Sequence, residues 1–214
     1  MKLDLLVLDW SGVVSHDLPL VMESVNHITA HFGAPQVSEE DFRTNFQPSL
    51  KDIYAKWGIT DYATVERMHR EFFATTEQKP TVIPGAAEAI KELSGYVPVA
   101  IFSSHPTDSL HGDIWRYGLQ ERIKFAFGDA HKDTTKDFAQ LLGMADVSSE
   151  NVIYAGDTTI DLNLAHIAGV RSAAIVNETY GYQRREQVAR FEPKPTYGIL
   201  GHVGELVPLI KNGR

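Results

Sequence analysis

The sequence predicts an α/β fold, a doubly wound parallel sheet whose chain is interrupted by an inserted, all-helical cap. Three observations support this prediction. Residues 3–8 (LDLLVL) and 97–102 (VPVAIF) are short, almost continuously apolar runs, which are typical of strands buried on both faces of a parallel sheet. From residue 81 onward such runs alternate with helical patterns, as in sheets that are covered by helices on both faces. Residues 15–80 show helical periodicity alone.

The predicted elements follow from the spacing of apolar residues and from the residues that end each run. The first cap helix, for example, ends where Gly33 and Pro35 interrupt the helical spacing. In the cap we expect helices at residues 19–32, from 38, at 49–57 and at 61–78, and no strand. Elsewhere we expect strands at residues 3–8, 97–102, 124–127, 151–155 and 172–176, and helices at 85–93, 107–117, 133–142, 160–168 and 200–210. The expected division is a core of residues 1–14 and 81–214 and a cap of residues 15–80.

The composition is that of a folded globular protein, and it excludes several classes of function. The chain has 214 residues, 43% of them hydrophobic, and a formal charge of -8, which argues against a nucleic-acid partner because duplex binding needs a basic face. The absence of cysteine excludes disulfides and thiolate zinc sites. No apolar stretch approaches the roughly 18 residues that span a membrane, and no signal peptide is evident. We therefore expect a cytoplasmic protein with no membrane partner, and the oligomeric state stays open.

Polar side chains follow three of the predicted strands. Asp9 ends the first strand, Ser103 and Ser104 follow the second, and Asp157 follows a later one, with Asp161 four residues beyond it. Right-handed crossovers bring the carboxyl ends of parallel strands to one edge, where ligands of such folds bind. Carboxylates gathered there repel each other unless a cation lies between them, and oxygen ligands suit Mg²⁺. The sequence therefore predicts a magnesium site at this edge.

These motifs resemble, in order, those of the haloacid dehalogenase-like (HAD) superfamily, in the branch that carries a helical cap after the first strand. Residues 5–33 resemble the family's opening block, and residues 101–104 (IFSS) its second motif. Lys132, followed six residues later by Phe138, resembles the third motif, and residues 156–169 (GDTTIDLNLAHIAG) resemble the fourth. The resemblance covers almost the whole chain and implies a hydrolase with a Rossmann-like core that acts on a small phosphorylated substrate.

The resemblance also implies a role for each matching carboxylate. Asp9 would attack phosphorus and form an aspartyl-phosphate. Mg²⁺ would be held by Asp9, by the main-chain carbonyl of Ser11 and by Asp157, with Asp161 near or behind it.

The phosphoryl group itself would be held by neighbouring polar groups. Ser103 would donate a hydrogen bond to a phosphoryl oxygen, and backbone amides beside Gly12 and Ser104 would complete the cradle. Lys132 would place a positive charge between the nucleophile and the phosphate. Since the prolines that usually follow this lysine are missing, Lys136 is an alternative to Lys132.

Ser11 departs from the family's pattern. Phosphatases of the family usually carry a second aspartate at this position, which protonates the leaving alcohol and later activates water. A hydroxyl is a far weaker acid and base, and a positioned acid–base group contributes roughly 10²–10⁴-fold. Farther along the same loop, His16 and Asp17 replace the family's usual acidic-then-hydroxyl pair.

Three functions therefore stay open. The first is a phosphatase acting on a small phosphorylated metabolite, similar to phosphoglycolate phosphatases. The second is hydrolysis of a carbon–phosphorus bond in a phosphonate such as phosphonoacetaldehyde. Family members with this activity have a similar loop beginning Asp-Trp and use a cap lysine, for which Lys51 is the candidate here. The third is a weakly active phosphate-binding or regulatory protein, because Ser11 stands in place of the usual acid–base group.

Overall fold

The computed structural model describes residues 2–46 and 50–213, and these contain two sheets. The strands are β1 (Leu5–Leu8), β2 (Ser15–His16), β3 (Thr81–Val82), β4 (Val99–Phe102), β5 (Ile123–Phe127), β6 (Val152–Gly156), β7 (Arg171–Ile175) and β8 (Ile199–Leu200). Six strands form the main sheet in the order β5-β4-β1-β6-β7-β8, and every pair in it is parallel. The remaining two, β2 and β3, pair antiparallel in a small second sheet.

Helices cover both faces of the main sheet, and four of them lie in the insertion. The α-helices are α1 (Leu18–His31), α2 (Glu39–Asn45), α3 (Leu50–Ala55), α4 (Tyr62–Thr75), α5 (Ala86–Leu93), α6 (Thr107–Arg116), α7 (Lys136–Ala145), α8 (Thr159–Ile167), α9 (Arg185–Arg190) and α10 (Leu206–Asn212). The α/β fold with a parallel sheet and a helical insertion is thereby confirmed. The division at residues 14 and 81 stays a prediction.

The core is built around the central strand β1, which contributes side chains to both faces of the sheet. All four of its residues are buried. Leu6 and Leu8 pack into the apolar cluster on one face of the sheet, while Leu5 and Val7 pack into the cluster on the other face. This is the alternation that a strand covered by helices on both sides requires. From β1 the chain moves outward through β4 and β5 and then returns to β6 on the opposite side, so the strand order reverses beside β1, where ligands of such sheets bind.

Four sequence-based assignments need correction. The inserted segment is not free of strands, because β2 lies at its start and pairs with β3 where the chain returns. The expected helix over residues 200–210 is instead β8, a short 3₁₀ turn and α10, since a strand of two residues is too short to show a period of its own. The helix expected from residue 133 begins at Lys136, and α9 was not predicted at all. The expected start of the third cap helix at residue 49 lies outside the described residues.

The cap has its own apolar cluster, which includes one residue from the core. Residues of α1, α3 and α4 pack together there, and Tyr182, from the loop after β7, lies among them. The Tyr182 ring makes edge contacts with Phe42 and Phe46, at centroid distances of 6.1 and 5.3 Å. Among the described helices, none combines the length and apolar character that crossing a bilayer requires.

Arg43 ties the cap helix α2 to the same core loop. Its side chain is fully buried, which is rare for arginine unless every donor has a partner. The guanidinium donates hydrogen bonds to the carbonyls of Gly181, Glu178 and Thr179 and pairs with Glu39. A cap side chain thus supplies donors to three carbonyls of the core loop, of which that of Gly181 is buried.

Replacing Arg43 with methionine should lower the free energy of unfolding by about 1–3 kcal/mol, because the buried Gly181 carbonyl loses its donor and the loop loses two further hydrogen bonds. Arg67→Met is the matched control, since Arg67 makes an exposed pair with Glu71 on α4, and such pairs contribute about 0–1 kcal/mol. Urea unfolding of both variants gives the comparison. Equal stabilities would show that the Arg43 contacts do not hold the cap to the core.

Candidate active site

Asp9 lies directly after β1 at the carboxyl edge of the sheet and is 4% exposed. Its Oδ1 accepts hydrogen bonds from the Trp10 amide at 2.7 Å and from Lys132 Nζ at 2.7 Å. Neither of these contacts uses Oδ2, and no donor among the described residues reaches that oxygen. One oxygen of Asp9 is thus held in place, and the other is available to attack an electrophile.

Lys132 bridges two of the three buried carboxylates. Besides Asp9, its ammonium contacts Oδ1 of Asp161 at 2.9 Å, and its side chain is only 11% exposed. Burial alone lowers the pKa of Lys132, but the carboxylates of Asp161 and Asp9 outweigh burial and raise the pKa above its ordinary value. The alternative, Lys136, is exposed at the start of α7. Geometry therefore favours Lys132 as the lysine of the site.

Asp161 is saturated with hydrogen bonds. Its Oδ1 accepts from Lys132 and from the Tyr154 hydroxyl at 2.7 Å, and its Oδ2 accepts from the Thr158 amide and hydroxyl. Burial tends to raise the pKa of Asp161, yet Lys132 and the hydrogen bonds lower it below the ordinary value. Because each oxygen of the Asp161 carboxylate already accepts two hydrogen bonds, Asp161 is better placed to orient Lys132 than to bind a cation directly.

Asp157 follows β6 and is 1% exposed. The backbone amide of Tyr182 donates to its Oδ2. Gly12 lies so close to the same oxygen that a Cβ at this position would overlap it. Because the Gly12 amide donates to the Ser15 carbonyl at 2.9 Å, the structure does not support the prediction that Gly12 binds substrate. What the structure shows for Gly12 is a steric role beside Asp157.

Gly12→Ala should therefore reduce turnover by at least about 10²-fold, the effect expected when a reacting group moves by about 1 Å. Gly12 has φ +73° and Gly33 has φ +70°, so alanine at either position costs about 1–2 kcal/mol in the left-handed region. Only the variant at Gly12 meets a side chain, however, since nothing lies within 4 Å of a Cβ at Gly33. Steady-state kinetics and melting curves of both variants separate backbone strain from displacement of Asp157. Equal activity in the two would contradict the steric role.

The three carboxylates together have the character of a cation site. Ligand atoms of Asp9, Asp157 and Asp161 lie within 4.8 Å of one another, and Lys132 supplies one positive charge against three negative ones. Burial, together with the charge of Asp161, raises the pKa of Asp9 to about 7 despite Lys132. Burial and the charges of Asp9 and Asp161 raise the pKa of Asp157 well above its ordinary value. This uncompensated charge and the all-oxygen donor set fit Mg²⁺.

A cavity of 520 Å³ opens between this edge and the cap helices, and we call it the edge cavity. From the core it is lined by the three predicted strand-end groups and their neighbours, including Asp9, Ser11, Ser103, Ser104, Lys132 and Asp157. From the inserted segment it is lined by Asp17, Val21, Phe42, Phe46, Ile53, Glu66, His69, Arg70 and Phe73. Its size suits a small ligand.

The serines after β4 lie at the wall of the edge cavity. Ser103 is 1% exposed, and its Oγ accepts from the His105 amide at 3.1 Å. Its own proton has no acceptor among the described residues, so it can be donated to a ligand. The Ser104 hydroxyl, in contrast, donates to the Ala130 carbonyl at 2.9 Å, which fastens the neighbouring loop rather than a ligand.

Asp17 and Tyr182 are two residues of the site that sequence reasoning did not assign. The Ser11 hydroxyl contacts Asp17 Oδ2 at 2.5 Å, and the Tyr182 hydroxyl donates to Asp17 Oδ1 at 3.0 Å. Asp17 was noted only as a departure from the family's motif. Tyr182 lies in a loop without periodic pattern, so no local signal marks it.

Lys51 does not lie at the edge cavity. Its side chain is exposed on α3, and its Nζ lies 6.0 Å from the centre of the Tyr62 ring. Lys51 is not among the residues that line the cavity. The structure therefore gives no support to the prediction that Lys51 contacts a substrate.

Comparison with known proteins relates the chain to one family by sequence and by fold. The chain is 28% identical over 218 residues to a phosphoglycolate phosphatase of Cereibacter sphaeroides, covering 96% of this chain and 97% of that protein. It is 25% identical to phosphoglycolate phosphatase 1 of Pseudomonas aeruginosa, covering 95% and 78%. In fold it matches a haloacid dehalogenase-like family protein from Streptococcus pneumoniae with a TM-score of 0.83 at 17% identity, covering 97% and 98%. A family model described as haloacid dehalogenase-like hydrolase matches residues 7–175, which is most of the chain. The chain therefore belongs to the haloacid dehalogenase-like hydrolase family.

Proposed function

We propose that this protein is a Mg²⁺-dependent phosphatase that hydrolyses a small phosphorylated metabolite through an aspartyl-phosphate on Asp9. The observation that carries the proposal is the arrangement of Asp9. One oxygen is fixed by Lys132 and the Trp10 amide, and the residue lines a cavity that also contains Ser103 and Asp157. The nucleophile Asp9, the ammonium group of Lys132 and the hydroxyl donor Ser103 thus lie together where a phosphoryl group can bind.

The chain's own residues account for most of the reaction. Asp9 attacks phosphorus through Oδ2, and the aspartyl-phosphate divides one difficult displacement into two easier ones. Lys132 and the Ser103 hydroxyl face the charge that builds on the phosphoryl oxygens. Asp9 and Asp157, with the Ser11 carbonyl, would hold Mg²⁺, and the ion would supply further positive charge to the same oxygens. The cap helices cover one side of the cavity, which limits the access of water.

The cap side of the edge cavity carries charges of both signs. Among the described residues that line it from the inserted segment, Arg70 is the cationic side chain, and Asp17 and Glu66 are acidic. His69 is held by Ser24 and Tyr54 at 2.7 and 2.8 Å, and burial lowers its pKa to about 4, so it is neutral. A second anionic group on the substrate would face Arg70. Since the curated relatives are named phosphoglycolate phosphatases, phosphoglycolate is the first substrate to test.

A panel of phosphate esters tests the proposal. Phosphate release from phosphoglycolate, other small sugar and acid phosphates, p-nitrophenyl phosphate and phosphonoacetaldehyde is measured with excess Mg²⁺ and with EDTA. We expect Mg²⁺-dependent hydrolysis of at least one ester and none of the phosphonate, because no lysine among the described residues of the cap lines the cavity. Hydrolysis of the phosphonate alone would favour the carbon–phosphorus reaction. Phosphate binding without turnover of any ester would favour the regulatory alternative. A cytoplasmic location remains our expectation.

A further inference from the structure

We propose that Ser11 and Asp17 together form the acid–base group of this phosphatase, with the Asp17 carboxyl acting through the Ser11 hydroxyl. This inference rests on the function proposed above, because it concerns the proton transfers of the same reaction. It accounts for the missing aspartate at position 11 by a carboxyl that comes from another part of the loop.

The contacts of Asp17 place its carboxyl behind Ser11. Asp17 is 2% exposed, and its Oδ2 lies 2.5 Å from Ser11 Oγ. Its Oδ1 accepts the Tyr182 hydroxyl at 3.0 Å, so both oxygens are fixed. Ser11 and Asp17 both line the edge cavity with Asp9. A proton can therefore pass between the cavity and the Asp17 carboxyl through one hydroxyl.

The usual structural reason for an aspartate at this position is absent. Asp17 is the residue before the first turn of α1, where an aspartate normally accepts a hydrogen bond from a helix amide. Here it makes no such bond, and its oxygens point instead to Ser11 and Tyr182. The carboxyl is thus buried and held in place without capping the helix.

The two half-reactions balance with this pair. In the first, Asp9 attacks phosphorus and the bond to the leaving oxygen breaks. Asp17 enters this step as the carboxylic acid that the preceding turnover leaves behind. Its proton passes to Ser11 Oγ while the Ser11 proton passes to the leaving oxygen, so the alcohol leaves neutral and Asp17 becomes the carboxylate that accepts the Ser11 hydroxyl. In the second, water attacks phosphorus and its proton passes through Ser11 Oγ back to Asp17. The bond between Asp9 and phosphorus then breaks, and inorganic phosphate leaves.

Asp17→Asn tests the pair because the amide keeps the shape but has no acid proton. With an alkyl phosphate that the wild type hydrolyses, we expect kcat/KM to fall by roughly 10²–10⁴-fold. With p-nitrophenyl phosphate, whose leaving group needs no protonation, the first step should be nearly unaffected. Water attack should then become limiting, so that the variant shows a burst of p-nitrophenolate. Glu23→Gln, an exposed carboxylate on the same helix, is the control and should match the wild type.

The exchange variant Ser11→Asp with Asp17→Ser gives an independent measurement. We expect the exchange variant to recover the alkyl-phosphate activity to within about tenfold of the wild type. Asp17→Ser alone should stay at low activity. Such a difference would show that the effects of the two substitutions are coupled, as expected for residues that act together. Should Asp17→Asn fail to fold, Ser11→Ala gives the same two readouts with the contact between Asp17 and Tyr182 intact.

Three results would overturn the inference. One is full alkyl-phosphate activity in Asp17→Asn. Another is an equal loss on both substrates without a burst, which indicates a structural role. The third is an exchange variant as inactive as Asp17→Ser. If the wild type itself hydrolyses no ester, the phosphatase proposal fails and this inference fails with it; if the wild type is active and only the Asp17 predictions fail, the phosphatase proposal stands.

Discussion

Asp9→Asn is expected to lower kcat/KM for any phosphate ester by roughly 10⁴- to 10⁶-fold, the range found when the nucleophile of a covalent mechanism is removed. A carboxamide can occupy the same space and can still accept the Trp10 amide, but it cannot form the acyl-phosphate. The variant should also fail to incorporate phosphate from a labelled substrate, whereas the wild type should do so transiently. Rapid-quench measurement of protein-bound phosphate reports this step directly.

Asp4→Asn is the matched control for this variant. Asp4 precedes the same strand at its opposite end, where it contacts Lys2 at 3.1 Å and accepts from Asn151 at 2.9 Å. Because it is far along β1 from the edge cavity, we expect unchanged kinetics and at most a small loss of stability. Retention of full turnover by Asp9→Asn would end the proposed mechanism.

Asp157→Asn should change stability in opposite directions with and without Mg²⁺. Without the ion, the variant should be more stable than the wild type by about 1–2 kcal/mol, as is common when a strained functional charge is removed. Asparagine can still accept the Tyr182 amide, so the loop stays fastened. With Mg²⁺ at a hundred times its dissociation constant, the wild type should gain about 2.7 kcal/mol, and the variant should gain little. Urea unfolding in EDTA and in Mg²⁺ measures both effects.

The raised pKa of Asp9 adds a pH dependence to the same experiment. Burial and the charge of Asp161 raise the pKa of Asp9 in the folded protein to about 7, from its ordinary value of 3.8. Between these values the folded state binds more protons than the unfolded state, so the free energy of unfolding contributed by Asp9 falls as pH rises from about 4 to about 7. In EDTA the wild type should therefore lose stability relative to Asp9→Asn over this range. A constant difference between the two proteins would mean that burial and the charge of Asp161 do not raise the pKa of Asp9 as described.

Parallel-sheet geometry made the centre of the site predictable from the sequence. Asp9 and Asp157 follow adjacent strands, and an apolar run ending in an aspartate is a local pattern that can be read without tertiary contacts. Their close approach to Asp161 agrees with that reasoning, while the roles of these residues remain predictions. The same pattern explains why the core strands were found with small errors at their ends.

Contacts between distant parts of the chain could not be predicted in this way. The bond between Tyr182 and Asp17 joins residues 165 positions apart, and that between Arg43 and Gly181 spans 138. Neither depends on periodicity, because both arise where the cap meets a loop without regular structure. Strand β8 has two residues, too few for a periodic signal. Residues 11 and 17 were each recognised as unusual, but their direct contact depends on the loop's conformation.

Tyr182 couples the cap of the enzyme to the carboxylates of its site. Its ring is packed among the cap's aromatic residues, its amide holds Asp157, and its hydroxyl holds Asp17. A hinge motion that moved α2 away from the core would have one of two results. It would remove the Tyr182 ring from its apolar surroundings, at a cost of about 1.5–3 kcal/mol, or it would displace the carboxylates of Asp157 and Asp17 that Tyr182 contacts. Substitutions that adapt α2 to a new substrate thus shift Asp157 and Asp17 through Tyr182, without contacting them. We therefore expect substrate selectivity and reaction rate to change together in this enzyme.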